Sequence, residues 1–445
     1  MAMLAMSDSA SSRDLVEKVL AKIIDPGGEG QKTFTLVLDE SAKLYAEATD
    51  KLRAAGAELP PLAGLPISVK DLFDLRGEVT TAGSPSLRNA SPATSDAAVI
   101  RRLRRAGAII IGRTNMTEFA YSGIGVNPHL GTPANPYQRE ERLIPGGSSS
   151  GAAISVSDGM AWAAIGSDTG GSVRIPAALC GLAGFKPTQS RVPLEGVFPL
   201  SPTLDSIGPI TKTVRDCIMV DAAISGAELN LAGPADLRRA KFILPRNYVV
   251  HELDKEVGRA FERALGKLSA AGATIVEMPL PELQRIQDLN ATGGFSGPEA
   301  YAFHRRLGVD QTKYDPLVFE RIERGKTMSA ADYLEMRHAR VVMIADVNRR
   351  MAGFDALLSP TVPIVAPKIS EVTDSKDEYR RVNMLLLRNT SIINFLDGCS
   401  LSIPCQSPGD PPVGLMVSGP RLGDAALLSV GLAVERVVAP QISRG

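Results

Sequence analysis

Two segments pair a helical apolar pattern with a short, wholly apolar run, and this pairing constrains the fold more than any other feature. In AAVIRRLRRAG followed by AIIIGRTN, apolar residues at helical spacing stop at a glycine and give way to a buried strand. FERALGKLSAAGATIVEM repeats the arrangement, with a helix ending near Gly272 and a strand beginning after it. A strand without polar alternation belongs to a sheet covered on both faces. Upstream, SSRDLVEKVLAKII offers serines as helix caps and places Leu15, Val16, Val19, Leu20 and Ile23 at helical spacing. FTLVLDESAKLYAEATDKLRAAG reads as a second long helix stopped by Gly56. After it, Ile67 and Val69 alternate against Ser68 and Lys70 in a short strand. Helices alternating with strands predict an α/β fold.

No low-complexity linker and no fixed-period repeat divides the 445 residues, so one domain over 1–445 is expected. The stretch of about 226–329 carries more charged helix and reads as a variable elaboration. Lys+Arg and Asp+Glu both count 49, so there is no basic excess to hold a nucleic acid. The cluster Arg101, Arg102, Arg104 and Arg105 reads as the wet face of a helix. Cys180, Cys217, Cys399 and Cys405 lie far apart, as in a reduced, intracellular chain. His129, His251, His304 and His338 show no metal-ligand spacing, and His304 and His338 read as surface residues of helices. The start MAMLAMSDSASS is too short and polar for a signal peptide, and no apolar run approaches bilayer length. A soluble cytoplasmic protein that engages neither membrane nor nucleic acid is expected.

Chemistry concentrates in two permissive loops, IPGGSSSGAA and GSDTGGSVRIP. As a phosphate cradle the second fails, because Ser172 stands where a P-loop needs its lysine. GSSSG matches the nucleophile-elbow pattern, yet the RLIPGG before it contains a proline and no strand-length apolar run. A third reading takes both loops together with Lys70, which ends a strand among Leu65, Ile67, Val69, Leu72 and Phe73. Serine and lysine form a workable nucleophile and base if the lysine is neutral. A free lysine titrates near 10.4, so its pKa must fall by roughly 3. Burial among apolar residues can supply that. Glycines beside Ser172 let successive N–H groups turn toward one point and bind an oxyanion.

These motifs resemble the amidase signature family of Ser-cisSer-Lys amidohydrolases. PLAGLPISVKDLFD, IPGGSSSGAA and GSDTGGSVRIPAALCGLAGFKPT carry the likeness, and NMTEFAYSGIGVNP, SPTLDSIGPITKTV, DALLSPTVPI and PPVGLMVSG extend it. The match is nearly continuous from Thr33 to Asp221, with a signature core at about 60–221. It implies one α/β/α domain with a mixed, twisted sheet between helical layers. It also implies Ser172 as the acylated nucleophile, Ser148 as a bridging serine after a cis Gly147–Ser148 bond, and Lys70 as the base. Thr169, Gly170 and Gly171 match the oxyanion-hole loop. Ser149 and Arg174 match supporting positions, and Ala120 and Tyr121 fall on a loop that contacts substrate. Ser150 stands where the family usually has glycine.

The resemblance implies an amidase that needs no metal or organic cofactor and takes a small-molecule amide, as a monomer or homodimer. Aryl and short aliphatic amides, ureas, carbamates and esters are all compatible with it. A neutral, largely apolar acyl group is expected, because Ile175 follows Arg174 and the loop of Ala120 and Tyr121 is nearly uncharged apart from Glu118. The alternative is the glutaminase subunit of a tRNA-dependent amidotransferase. GVFPLSPTLDS and Ile175 depart from that branch. An inactive scaffold subunit is disfavoured, because all three triad positions are filled.

Overall fold

Eleven strands form one mixed sheet in a computed structural model that describes residues 11–228, 235–290 and 293–440. The first ten residues of the polar start lie outside that description. In chain order the strands are β1 (Phe34–Val37), β2 (Pro66–Lys70), β3 (Ile109–Thr114), β4 (Ala163–Asp168), β5 (Ala183–Lys186) and β6 (Ser206–Thr211). They continue as β7 (Lys241–Leu244), β8 (Thr274–Glu277), β9 (Ala356–Pro360), β10 (Cys399–Pro404) and β11 (Gly414–Gly419). Their order across the sheet is β1-β3-β2-β4-β6-β5-β10-β11-β9-β7-β8. β2 runs parallel to both β3 and β4, and β7 runs parallel to β8 and β9. Every residue of β2, β3 and β4 is buried, so both faces of this part of the sheet are covered.

The first helix, Ser12–Ile24, begins where the serines allow: Ser11 and Asp14 form a reciprocal capping box. Helix Ala98–Arg105 turns Val99, Ile100 and Leu103 inward, each contributing about 1.5–3 kcal/mol by burial. Its arginines lie on the opposite side, where Arg101 pairs with Glu195 at 3.0 Å and Arg104 with Asp96 at 3.1 Å. Helix Lys255–Ala270 ends before Gly272, whose φ of 98° suits only glycine, and β8 follows. Thus 226–329, read as helical elaboration, also adds β7 and β8 to one edge of the sheet.

The expected second long helix divides. Phe34–Val37 is a strand, antiparallel to β3, and the helix runs only over Asp39–Ala54. An aromatic and β-branched run at the sheet edge gains ladder hydrogen bonds that a first helical turn would not supply. The histidines differ as well. His338 is exposed, but His304 is buried against Phe119 at 4.5 Å between ring centroids, with Nδ1 2.9 Å from the Tyr314 hydroxyl. Burial pulls its pKa down to about 4.

Candidate active site

Parallel pairing of β2 with β4 brings Lys70 and Ser167 to the same end of the sheet. Lys70 is wholly buried, and its Nζ stands 2.7 Å from Ser148 Oγ and 2.9 Å from Ser167 Oγ. Burial drives its pKa from the ordinary lysine range down to about 7, against the opposing charges of Asp168 and Asp205. The amine is therefore poised between charged and neutral forms near neutral pH.

Ser148 follows a cis Gly147–Ser148 peptide bond. Gly147 is required by close approach, since a Cβ there would lie 2.6 Å from the backbone nitrogen of Gly125. Two backbone bonds fix this segment: Gly147 N–H donates to the Gly123 carbonyl at 2.8 Å, and Thr117 N–H to that of Ser148 at 3.1 Å. Ser149 precedes helix Ser150–Ser157; its N–H donates to the Ser172 carbonyl at 3.3 Å and its Oγ to the Ser167 carbonyl at 3.4 Å. The two glycine-rich loops are thereby held side by side.

Asp168, the last residue of β4, shapes the second loop. Its Oδ2 accepts the N–H groups of Val173 at 3.1 Å and Arg174 at 3.3 Å, folding the chain back on itself. Arg174, also fully buried, donates Nε to Oδ2 at 3.1 Å and Nη2 to Oδ1 at 2.9 Å. The same Nη2 reaches the Thr390 carbonyl at 3.0 Å and Asn394 Oδ1 at 2.6 Å. Burial alone would raise the Asp168 pKa, but the Arg174 and Lys186 charges and the hydrogen bonds hold it down to about 2. Thr169 Oγ1 donates to Asp205 Oδ1 at 2.6 Å, and burial pushes Asp205 up to about 6. Among the described residues, the N–H groups of Gly170, Gly171 and Ser172 have no acceptor. Gly171 adopts φ 137°, and Thr390 Oγ1 donates to the Gly170 carbonyl at 2.6 Å.

A cavity of about 650 Å³ opens over this loop, and Ser172, Thr169, Gly170, Ala120 and Tyr121 all lie on its wall. Lys70, Ser148, Ser149 and Arg174 lie beneath the wall, in the buried interior. The expectation of a nearly uncharged pocket around Arg174 and the Ala120–Tyr121 loop needs correcting. Arg174 is committed to Asp168, whereas Arg321, Arg324 and Arg380 line the cavity. Helix Pro316–Arg324 carries the first two, and helix Lys376–Phe395 the third.

Sequence reasoning did not single out Ser167, Asp205, Thr390 or Asn394 for the site. A signal existed for the last two: polar residues four apart on one helix, beside buried Leu386 and Ile393. Nothing in the sequence ties them to a loop more than 200 residues earlier.

A profile of the Amidase family matches residues 14–428. The chain is 36% identical over 403 residues to the 2-amino-5-chloromuconic acid deaminase of Comamonas testosteroni, covering 89% of this chain and 86% of that protein. It is 32% identical to a glutamyl-tRNA(Gln) amidotransferase subunit from Roseiflexus castenholzii, covering 96% and 92% of the two chains. A solved crystal structure of an amidase superposes with a TM-score of 0.87 at 31% identity, covering 98% of each chain. The mixed sheet, the buried lysine and these likenesses converge: the chain belongs to the amidase family, whose members are hydrolases acting on C–N bonds other than peptide bonds.

Proposed function

We propose that this protein is a stand-alone amidase that hydrolyses a carboxylic amide through an acyl-enzyme on Ser172. The observation that carries the reading is the buried Lys70 amine, 2.7 Å from Ser148 Oγ and held near neutrality. Ser172 Oγ attacks the amide carbonyl while Ser148 takes its proton and passes its own to neutral Lys70. The oxyanion of the tetrahedral intermediate accepts from the unpaired N–H groups of the loop of Thr169, Gly170, Gly171 and Ser172. The proton returns along the same path to the leaving amine, and the C–N bond breaks. Water then attacks the acyl ester by the same relay, releasing the acid and restoring Ser172. Ser149 and Arg174 hold the loop, and Ala120 and Tyr121 face the substrate across the cavity.

The relative from a glutamyl-tRNA(Gln) amidotransferase supports a second reading, a glutaminase working inside a complex. Purified protein assayed alone on a panel of amides and esters separates the two. Turnover without a partner and without glutamine is expected. Activity seen only with glutamine and only in a complex overturns the stand-alone reading. Ser172→Ala is expected to abolish both turnover and labelling by a fluorophosphonate probe. Labelling that survives in Ser172→Ala and vanishes in Ser149→Ala moves the nucleophile and sinks the assignment.

A further inference from the structure

We propose that the substrate is an amide carrying a second, anionic group, a carboxylate set apart from the scissile bond, and that Arg321 receives it. This deepens the amidase reading of the same cavity and rests on it.

The argument starts from the charges on the cavity wall, which are Arg321, Arg324, Arg380, Glu320 and Asp288. Glu320 is shared by two of the cations, Arg324 at 2.6 Å and Arg380 at 2.9 Å. Arg380 also pairs with Asp377 at 3.0 Å. Asp288 accepts from Gln284 Nε2 at 3.1 Å. Arg321 has no carboxylate: among the described residues it forms no ion pair, and although the guanidinium interacts with the Tyr121 hydroxyl, its Nη1 is buried with no hydrogen-bond partner. A guanidinium N–H shielded from water and lacking an acceptor is unfavourable, and an incoming anion relieves it.

The side chain is also held ready. The guanidinium carbon lies 4.4 Å from the centroid of the Tyr121 ring, a cation–π contact that limits the freedom of the side chain. Tyr121 and Ser172 line the same cavity, so a ligand on Arg321 shares its space with an amide at the loop. On the same cavity wall, Asn383 has its carbonyl oxygen committed: Oδ1 accepts Ser122 Oγ at 3.0 Å and Gly123 N–H at 2.8 Å. That leaves the Asn383 amide nitrogen as a donor on the cavity wall. A carboxylate matches a planar cationic fork that shares its cavity with a neutral donor, and an alkyl or aryl end group does not. An Arg321 that served only to pack Tyr121 would need no open nitrogen.

The test compares ω-carboxy amides with neutral isosteres: succinamate with butyramide, and glutaramate with valeramide. In the wild type, kcat/KM is expected to favour an acid of one pair by about 10–100-fold, the worth of a charge-assisted hydrogen-bond pair. Arg321→Gln is expected to collapse that ratio, mainly through KM, while Arg321→Lys keeps part of it by retaining the charge without the fork. Equal or better turnover of the neutral partners overturns the proposal and leaves the amidase reading intact. So does an equal fall for both members of a pair in Arg321→Gln, which marks a structural role. If none of these amides is hydrolysed, calorimetric binding of glutaramate to the wild type decides. Saturable binding weakened about 10–100-fold in Arg321→Gln supports the site, and absent or unaltered binding removes it.

Discussion

Lys70 Nζ and Ser148 Oγ stand 2.7 Å apart in a region closed to solvent, so a proton can pass between them without a water molecule. The base form of Lys70 is the neutral amine. Its pKa of about 7 means that kcat/KM rises with pH through an acidic limb near 7 and levels off above it. Asp205 raises the Lys70 pKa by its charge, so Asp205→Asn moves the limb to lower pH. Lys70→Ala removes the limb and lowers amide turnover by about 10²–10⁴-fold. Ester turnover falls less, because an alkoxide needs less help from a proton donor than an amine does. Persistence of the same limb in an active Lys70→Ala enzyme means that the base is another group.

Asp168 and Arg174 are both fully buried, and each has the other as its charge partner. Asp168→Asn keeps the shape but leaves the guanidinium uncompensated, and it is expected to destabilise the fold by about 3–5 kcal/mol in denaturant titration. Combining it with Arg174→Met recovers part of the loss, since no buried guanidinium is then left without its carboxylate. A single-variant loss below about 1 kcal/mol shows that the loop is held chiefly by its backbone bonds instead.

The sheet and the reactive loops were legible because their signals are local. The alternation of β2, the apolar run of β3, the stops at Gly56 and Gly272 and the small residues around Ser172 are each contained within a few residues. Signals that depend on a distant partner were not legible. Phe34–Val37 joins a helical pattern without a break, and only the exposed edge of β3 makes it a strand. His304 sits in a charged helix and is buried because Phe119 and Tyr314 close over it. Arg321 reads as one more basic residue until Glu320 is seen to serve Arg324 and Arg380.

Ser150 is buried in the first turn of helix Ser150–Ser157, and among the described residues its hydroxyl has no hydrogen-bond partner. Ser150→Ala keeps the helical backbone and removes the stranded polar atom. The variant is expected to be more stable by about 1 kcal/mol in denaturant unfolding. A measured loss of that size reveals an acceptor for this hydroxyl in solution.

Gly171 combines two requirements that no other residue meets. Its φ of 137° lies in a region that side chains rarely adopt, and an added Cβ would fall 2.2 Å from Thr390 Oγ1 and 2.7 Å from Ile175 Cδ1. Thr390 cannot retreat without giving up its bond to the Gly170 carbonyl, made at 2.6 Å. Gly171→Ala therefore displaces the loop whose N–H groups are proposed to hold the oxyanion. A loss of about 10²–10³-fold in kcat is expected, the scale of a missing oxyanion-hole donor. KM changes much less, because the arginine-lined end of the cavity is untouched. Thr390→Ala in the same chain removes the hydroxyl contact but leaves Thr390 Cβ at 2.6 Å, Ile175 Cδ1 at 2.7 Å and the backbone strain, so it restores only part of the rate. Full recovery in the double variant assigns the whole effect to the contact with the Thr390 hydroxyl, and an unchanged kcat in Gly171→Ala alone places the oxyanion somewhere else.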